Sequence, residues 1–91
     1  MKYTLQYTHS FKKDVLICRK RGLKIHLLEK VITELVNSGT LSATYKPHKL
    51  QGKYKDCWEC HIQPDWLLIW QQNDKELVLI LTNTGTHSDL F

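Results

Sequence analysis

The chain has 91 residues, 42% of them hydrophobic and 24% charged, and thirteen Lys and Arg against nine Asp and Glu leave a net charge of +4. One domain (1–91) with a single modest core fits that length, and the balanced composition excludes a disordered or low-complexity chain. The positive field favours acidic partners, nucleic acid first among them, while apolar runs no longer than "WLLIW" (66–70) and "LVLIL" (77–81) exclude a membrane span or a secretory signal.

In chain order, "KYTLQYT" (2–8) alternates at the two-residue period of a half-buried strand, with Tyr3, Leu5 and Tyr7 on one face. Ser10 is placed to cap a helix carrying Phe11, Val15 and Cys18 on one side, and Arg21-Gly22 to stop it. A second helix follows in "LKIHLLEKVITELVNSG", with Ile25, Leu28, Ile32, Leu35 and Val36 on its apolar face and Asn37-Ser38-Gly39 as its end. Residues 40–55, polar and carrying Lys46, Lys49, Lys53 and Lys55, read as a long loop of the kind that more often serves function than decoration. Three strands at 57–62, 66–71 and 76–82 are separated by the short links "QPD" and "QNDK", which join antiparallel neighbours. The order β-α-α-β-β-β predicts an α+β fold, an antiparallel sheet with the helix pair packed on one face.

"CWECH" (57–61) fits the Cys-x-x-Cys-His pattern of covalent haem attachment. On a strand, however, Cys57 and Cys60 face opposite ways, so one haem edge cannot reach both thiols. A closed zinc site needs four ligands, and no second Cys-x-x-Cys or His pair is present; Cys57 and His61 with a distant His48 or His87 is the zinc alternative. A redox pair needs a strand-to-helix junction that the pattern lacks. Three cysteines, an odd number, without an export signal predict reduced thiols in a cytoplasmic protein. The reading kept is a strand with Trp58, Cys60 and Ile62 toward the core and His61 outward. His9 and His26 read as surface or helix-side residues.

From residue 46 onward, "HKLQG" (48–52), "CHIQPDWLLIW" (60–70) and "TGTHSDLF" (84–91) stand in the order and at the separations of the YafQ-like branch of the RelE/ParE toxin superfamily, which the chain resembles. The first 45 residues match in pattern, a strand and two helices. The resemblance implies a microbial RNase-like sheet and a toxin that enters the ribosomal A site and cuts messenger RNA. It also implies a cognate antitoxin that neutralises the toxin and carries the DNA-reading part of a complex bound to operator DNA. It places His48, His61, Asp65 and His87 in the catalytic constellation, with Phe91 contributing.

RNA cleavage requires removing a proton from a ribose 2′-hydroxyl and supplying one to the departing 5′-oxygen, which imidazoles and a carboxylate can do without metal or cofactor. His87 is expected as general acid, His48 or His61 as base, and Asp65 as orienting group or assisting base. Trp66 is divided between core and support of the site, and Lys46, Lys49, Lys53 and Lys55 are candidate phosphate contacts. The branch usually carries arginine where this chain has Asn83, and often another basic residue at Trp58; an amide cannot replace a guanidinium's charge and forked donors. Two alternatives to an active nuclease therefore stand: a weakened member that binds ribosome or antitoxin without efficient cleavage, and a ParE-like inhibitor of DNA gyrase.

Overall fold

The structure, a computed structural model, describes residues 2–91. The alternating N-terminal run forms β1 (Thr4–Tyr7). Thr8 rather than Ser10 caps α1 (His9–Lys20): Thr8 is still extended, and its hydroxyl accepts the Phe11 amide at 3.0 Å, whereas Ser10 is already helical. Phe11 and Cys18, two turns apart, are the buried residues of α1. Gly22 (φ +82) donates its amide to the Arg19 carbonyl and stops the helix as predicted.

The second helix, α2 (Ile25–Ser38), buries Leu28, Val31 and Leu35, with Ile25, Leu27, Ile32 and Val36 on the margins. The stripe thus centres on Val31, a residue the sequence pattern left out. Gly39 ends α2 in the left-handed region, where a side chain would run into the Tyr3 ring.

The predicted loop contains structure. One-turn helices at Ala43–Tyr45 and Gly52–Tyr54 flank a two-residue strand, β2 (His48–Lys49), too short to leave a periodic signal. Then come β3 (Trp58–Gln63), β4 (Trp66–Asn73) and β5 (Val78–Gly85). The last strand begins two residues later than predicted because the Asn73 side chain accepts the Lys75 and Glu76 amides and holds that segment in a turn. The tail closes with one further turn of helix, α3 (His87–Leu90).

The sheet order is β1-β5-β4-β3-β2. The β3–β4 and β4–β5 pairs are antiparallel as expected and the unforeseen β2 pairs antiparallel with β3, but β1 joins β5 in parallel, so the sheet is mixed. Short links dictate the orientation of consecutive strands; β1 meets a strand more than seventy residues away, and no turn governs that pair.

Both helices cover one face, α1 over β5 and α2 over β3, around Cys60, Trp66, Leu68, Trp70, Leu79 and Leu81. The opposite face holds a smaller cluster of Cys57, Leu67, Ile69 and Leu90 under Leu50 and Tyr54. The two cysteines of "CWECH" therefore lie on opposite faces, both buried, and no single haem edge meets them. Among the described residues no helix is long and apolar enough to cross a membrane.

Burial pushes the Cys60 thiol up to about 12 and raises that of Cys18 as well. A thiolate is the reactive species, so iodoacetamide at pH 8 is expected to modify neither residue until the chain unfolds. Mass-spectrometric labelling through a denaturant series should follow global unfolding; labelling of Cys60 in the native protein at the rate of a free thiol would contradict the packing.

Candidate active site

Strand register assembles the site. Glu59 and His61 share the face of β3 turned away from the helices, and the β2–β3 pairing sets His48 directly across from Glu59. Glu59 is only 5% exposed. A carboxylate removed from water is costly unless groups able to carry a proton face it, and the groups that face it here are two imidazoles. His48 Nε2 lies 3.2 Å from Glu59 Oε1, and His61 Nε2 lies 3.8 Å from the same oxygen.

The other nitrogen of each ring is fixed by backbone. His48 Nδ1 meets the Lys46 carbonyl at 2.9 Å and His61 Nδ1 the Pro64 carbonyl at 3.3 Å. A carbonyl only accepts, so each Nδ1 carries its proton there and each Nε2 is left toward Glu59. Lys46, which ends the first one-turn helix, adopts φ +51, a conformation uncommon outside glycine and of the sort stored where geometry matters.

His87 is held differently. Pro64 and Asp65 form the turn between β3 and β4, closed by the Gln63–Trp66 pair. Asp65 Oδ1 accepts both the His87 amide at 3.0 Å and His87 Nδ1 at 2.7 Å. Those bonds, the backbone amide most of all, hold Asp65 below its usual carboxylate range. His87 Nε2 is left without a hydrogen-bond partner among the described residues, on a ring whose side chain is 54% exposed. Ring centroids lie 6.4 Å apart for His48 and His61 and 5.8 Å apart for His61 and His87, a row of three imidazoles with His61 in the middle. A cavity of about 400 Å³ lined by Tyr45, Lys46, His61, Gln63 and Pro64 opens beside that middle ring.

The remaining expected residues sit as follows. Phe91 is exposed and meets the Tyr54 ring edge-on at 5.4 Å, while the Tyr54 hydroxyl donates to the Leu90 carbonyl. Trp66 belongs to the core, its indole N–H donating to Thr84 Oγ1 at 2.9 Å, and Thr84 in turn donates to the Leu67 carbonyl. Asn83 lies beside an irregularity of β5, its amide donating to Asp14 of α1 at 3.0 Å. All four lysines are exposed. Lys53 rides over the Tyr54 ring beside α3, and Lys49 stands over Trp58, which belongs to the helix-covered face. Glu59 was not anticipated. Its signal was there: an acid two residues before His61, on the same strand face, in a run (57–62) that is apolar apart from these two residues.

His48, Glu59 and His61 converge on one another, both Nε2 atoms facing one carboxylate oxygen, and among the described residues no group of three or more His, Cys, Asp or Glu is arranged to hold a metal ion.

Fold and site together define a small α+β protein whose imidazoles and carboxylates are set for proton transfer. Residues 3–91 match the family described as bacterial toxin of type II toxin-antitoxin system, YafQ, and the chain belongs to that family. It is 39% identical over 88 residues to the mRNA interferase toxin YafQ of Escherichia coli K12, covering 96% of this chain and 94% of that protein. Among solved structures it is similar to the E. coli DinJ-YafQ toxin-antitoxin complex (TM-score 0.90, 36% identity, 100% of this chain and 99% of that one). It is likewise similar to a metal-bound toxin from Helicobacter pylori (TM-score 0.87, 40% identity, 100% of each chain).

Asp65 and Asp89 both have folded-state pKa values below the ordinary one, Asp65 through His87 and Asp89 through the Arg21 guanidinium and the Thr86 amide. A lowered carboxylate stabilises the fold above its unfolded pKa, near ~3.9, and that contribution is lost as pH falls through the folded value. An acid titration followed by carbon NMR should therefore show these two carboxylates protonating below the ordinary aspartate range, with the His87 amide signal moving in step with Asp65.

Proposed function

We propose that this protein is the toxin of a type II toxin–antitoxin pair, an endoribonuclease that inhibits translation by cutting messenger RNA in the ribosomal A site. The observation that carries this reading is the row His48–His61–His87, with one carboxylate behind each end. It is supported by family membership and by likeness to a protein named mRNA interferase.

The geometry suits the two proton transfers. Asp65, ionised and 2.7 Å from His87 Nδ1, stabilises the imidazolium, so His87 acts as the proton donor through its free Nε2 to the departing 5′-oxygen. His48 or His61, with Nδ1–H committed to a carbonyl, takes the 2′-hydroxyl proton on Nε2, and buried Glu59 stabilises the cation that forms. The 2′-oxygen then attacks the adjacent phosphorus in line, giving a 2′,3′-cyclic phosphate on one fragment and a free 5′-hydroxyl on the other. Lys46, which lines the cavity beside His61, and Lys53, over the Tyr54 ring, are taken as phosphate contacts, Trp66 holds the β4–β5 corner behind Asp65, and Phe91 packs over Tyr54 beside the acid.

The superfamily is RelE/ParE, the compartment the cytoplasm, and the antitoxin acidic, a charge that complements a +4 chain and speeds their encounter. The toxin–antitoxin complex binds operator DNA through the antitoxin. The histidine row favours cleavage over gyrase inhibition. One observation favours an attenuated enzyme: the Asn83 side chain gives one of its two N–H donors to Asp14 and carries no charge, so it offers the scissile phosphate neither a guanidinium's charge nor its fork.

Primer-extension mapping on translating ribosomes with a defined messenger tests the reading. New 5′ ends at codon-spaced positions are expected, and His87→Ala should lower their rate of appearance by roughly 10²–10⁴. Glu59→Gln keeps shape but removes the charge facing the two imidazoles, and a fall of at least about tenfold is expected by the same reasoning. Asn83→Arg should raise cleavage if the enzyme is attenuated. No cuts with wild type or any variant would overturn the nuclease reading, and a supercoiling assay with gyrase would then decide the alternative.

A further inference from the structure

His87 is the first residue of a helix of one turn, and one turn does not stand alone in water. Besides the Asp65 bond to the His87 amide and the burial of Leu90, what holds it is Asp89. Its carboxylate accepts the Thr86 amide at 2.9 Å while its own amide donates to Thr86 Oγ1, a reciprocal cap around His87. The same carboxylate receives both arms of Arg21, Nη1 to Oδ2 at 2.5 Å and Nη2 to Oδ1 at 3.0 Å. Gly85 leaves the room this requires, since a Cβ there would lie 2.9 Å from Asp89 Oδ2.

Arg21 is itself well placed to hold a position. It caps the C-terminal end of α1, its amide bonded to the Ile17 carbonyl, just before the Gly22 turn. Two turns back on the same side of α1, Asp14 accepts the Asn83 side-chain amide and the Thr84 backbone amide. One helix therefore grips the end of β5 at Asp14 and α3 at Arg21.

We infer that Arg21 is a positioning residue for His87, acting through Asp89: its guanidinium fork fixes α3 so that His87 keeps its ring on Asp65 and its Nε2 toward the substrate. An exposed ion pair of this sort adds little to global stability, so its worth lies in orientation. The inference rests on His87 being the proton donor proposed above.

The test uses the whole chain with Arg21→Gln and Arg21→Lys. In nitrogen-15 NMR, Arg21→Gln is expected to speed exchange of the Asp89, Leu90 and Phe91 amides and to weaken the His87 Nδ1 proton signal, with sheet amides unchanged. In single-turnover cleavage on programmed ribosomes, the rate at saturation should fall roughly tenfold with the half-saturating concentration unmoved. Arg21→Lys, which keeps the charge without the fork, should recover part of both. Unmoved α3 signals in Arg21→Gln would overturn the inference, and so would losses spread evenly over the sheet. If wild type does not cut, the nuclease reading fails while the NMR result still decides the role of Arg21.

Discussion

A carboxylate that has lost its water must be met by groups able to carry a proton or a positive charge, and that requirement at Glu59 organises the histidine-bearing face of the sheet. Glu59 sits mid-strand, so its partners must arrive from the neighbouring strand and from the next residue on the same face. His48 and His61 occupy those two places. To aim there, each ring has to anchor its far nitrogen, and the backbone supplies carbonyls at Lys46 and Pro64. The left-handed turn at Lys46 and the tight Pro64-Asp65 corner follow from the same demand, and the second of them also delivers Asp65 to His87. One desolvated charge thus links β2, β3, the turn and the terminal helix.

The opposite face does the complementary work of making that arrangement stiff. Trp66, Leu68 and Trp70 alternate with Leu67 and Ile69 along β4, so this central strand is buried on both sides. The indole of Trp66 and the hydroxyl of Thr84 satisfy one another and a carbonyl across the β4–β5 corner, leaving no polar group unpaired in the part of the core nearest Asp65. Where β5 slips register after Leu81, α1 supplies Asp14 to the Thr84 backbone amide and to the Asn83 side chain. Packing and polar bonding converge on the end of the sheet that carries Asp65 and His87.

Much of this was legible in the residues. Alternation in 57–62 correctly put the two cysteines on opposite faces, which disposed of the haem pattern, and short links correctly implied three successive antiparallel strands. What escaped had no local signature. The parallel β1–β5 pair joins residues far apart in sequence; β2 is two residues long; the Thr8 cap competes with an equally suitable Ser10 next to it. The histidines and Asp65 were picked out by motif, and the structure brings them together, whereas Glu59 needed the knowledge that its face would be buried. Asn83 looked like a missing arginine; only the fold shows its amide turned to Asp14.

The pairing of β1 with β5 bears on how such a chain comes into being. Leu5 is made 74 residues before its partner Leu79, and α1 has its main packing surface on β5 rather than on anything nearer. During synthesis the first strand and helix must wait, unpaired, while helix, loop and hairpin emerge. Contacts this distant in sequence make folding slow to start and nearly all-or-none when β5 arrives. A toxin of this family built in this order acquires its grip on β5, and with it the end of the sheet that carries His87, only after most of its length has left the machine that made it.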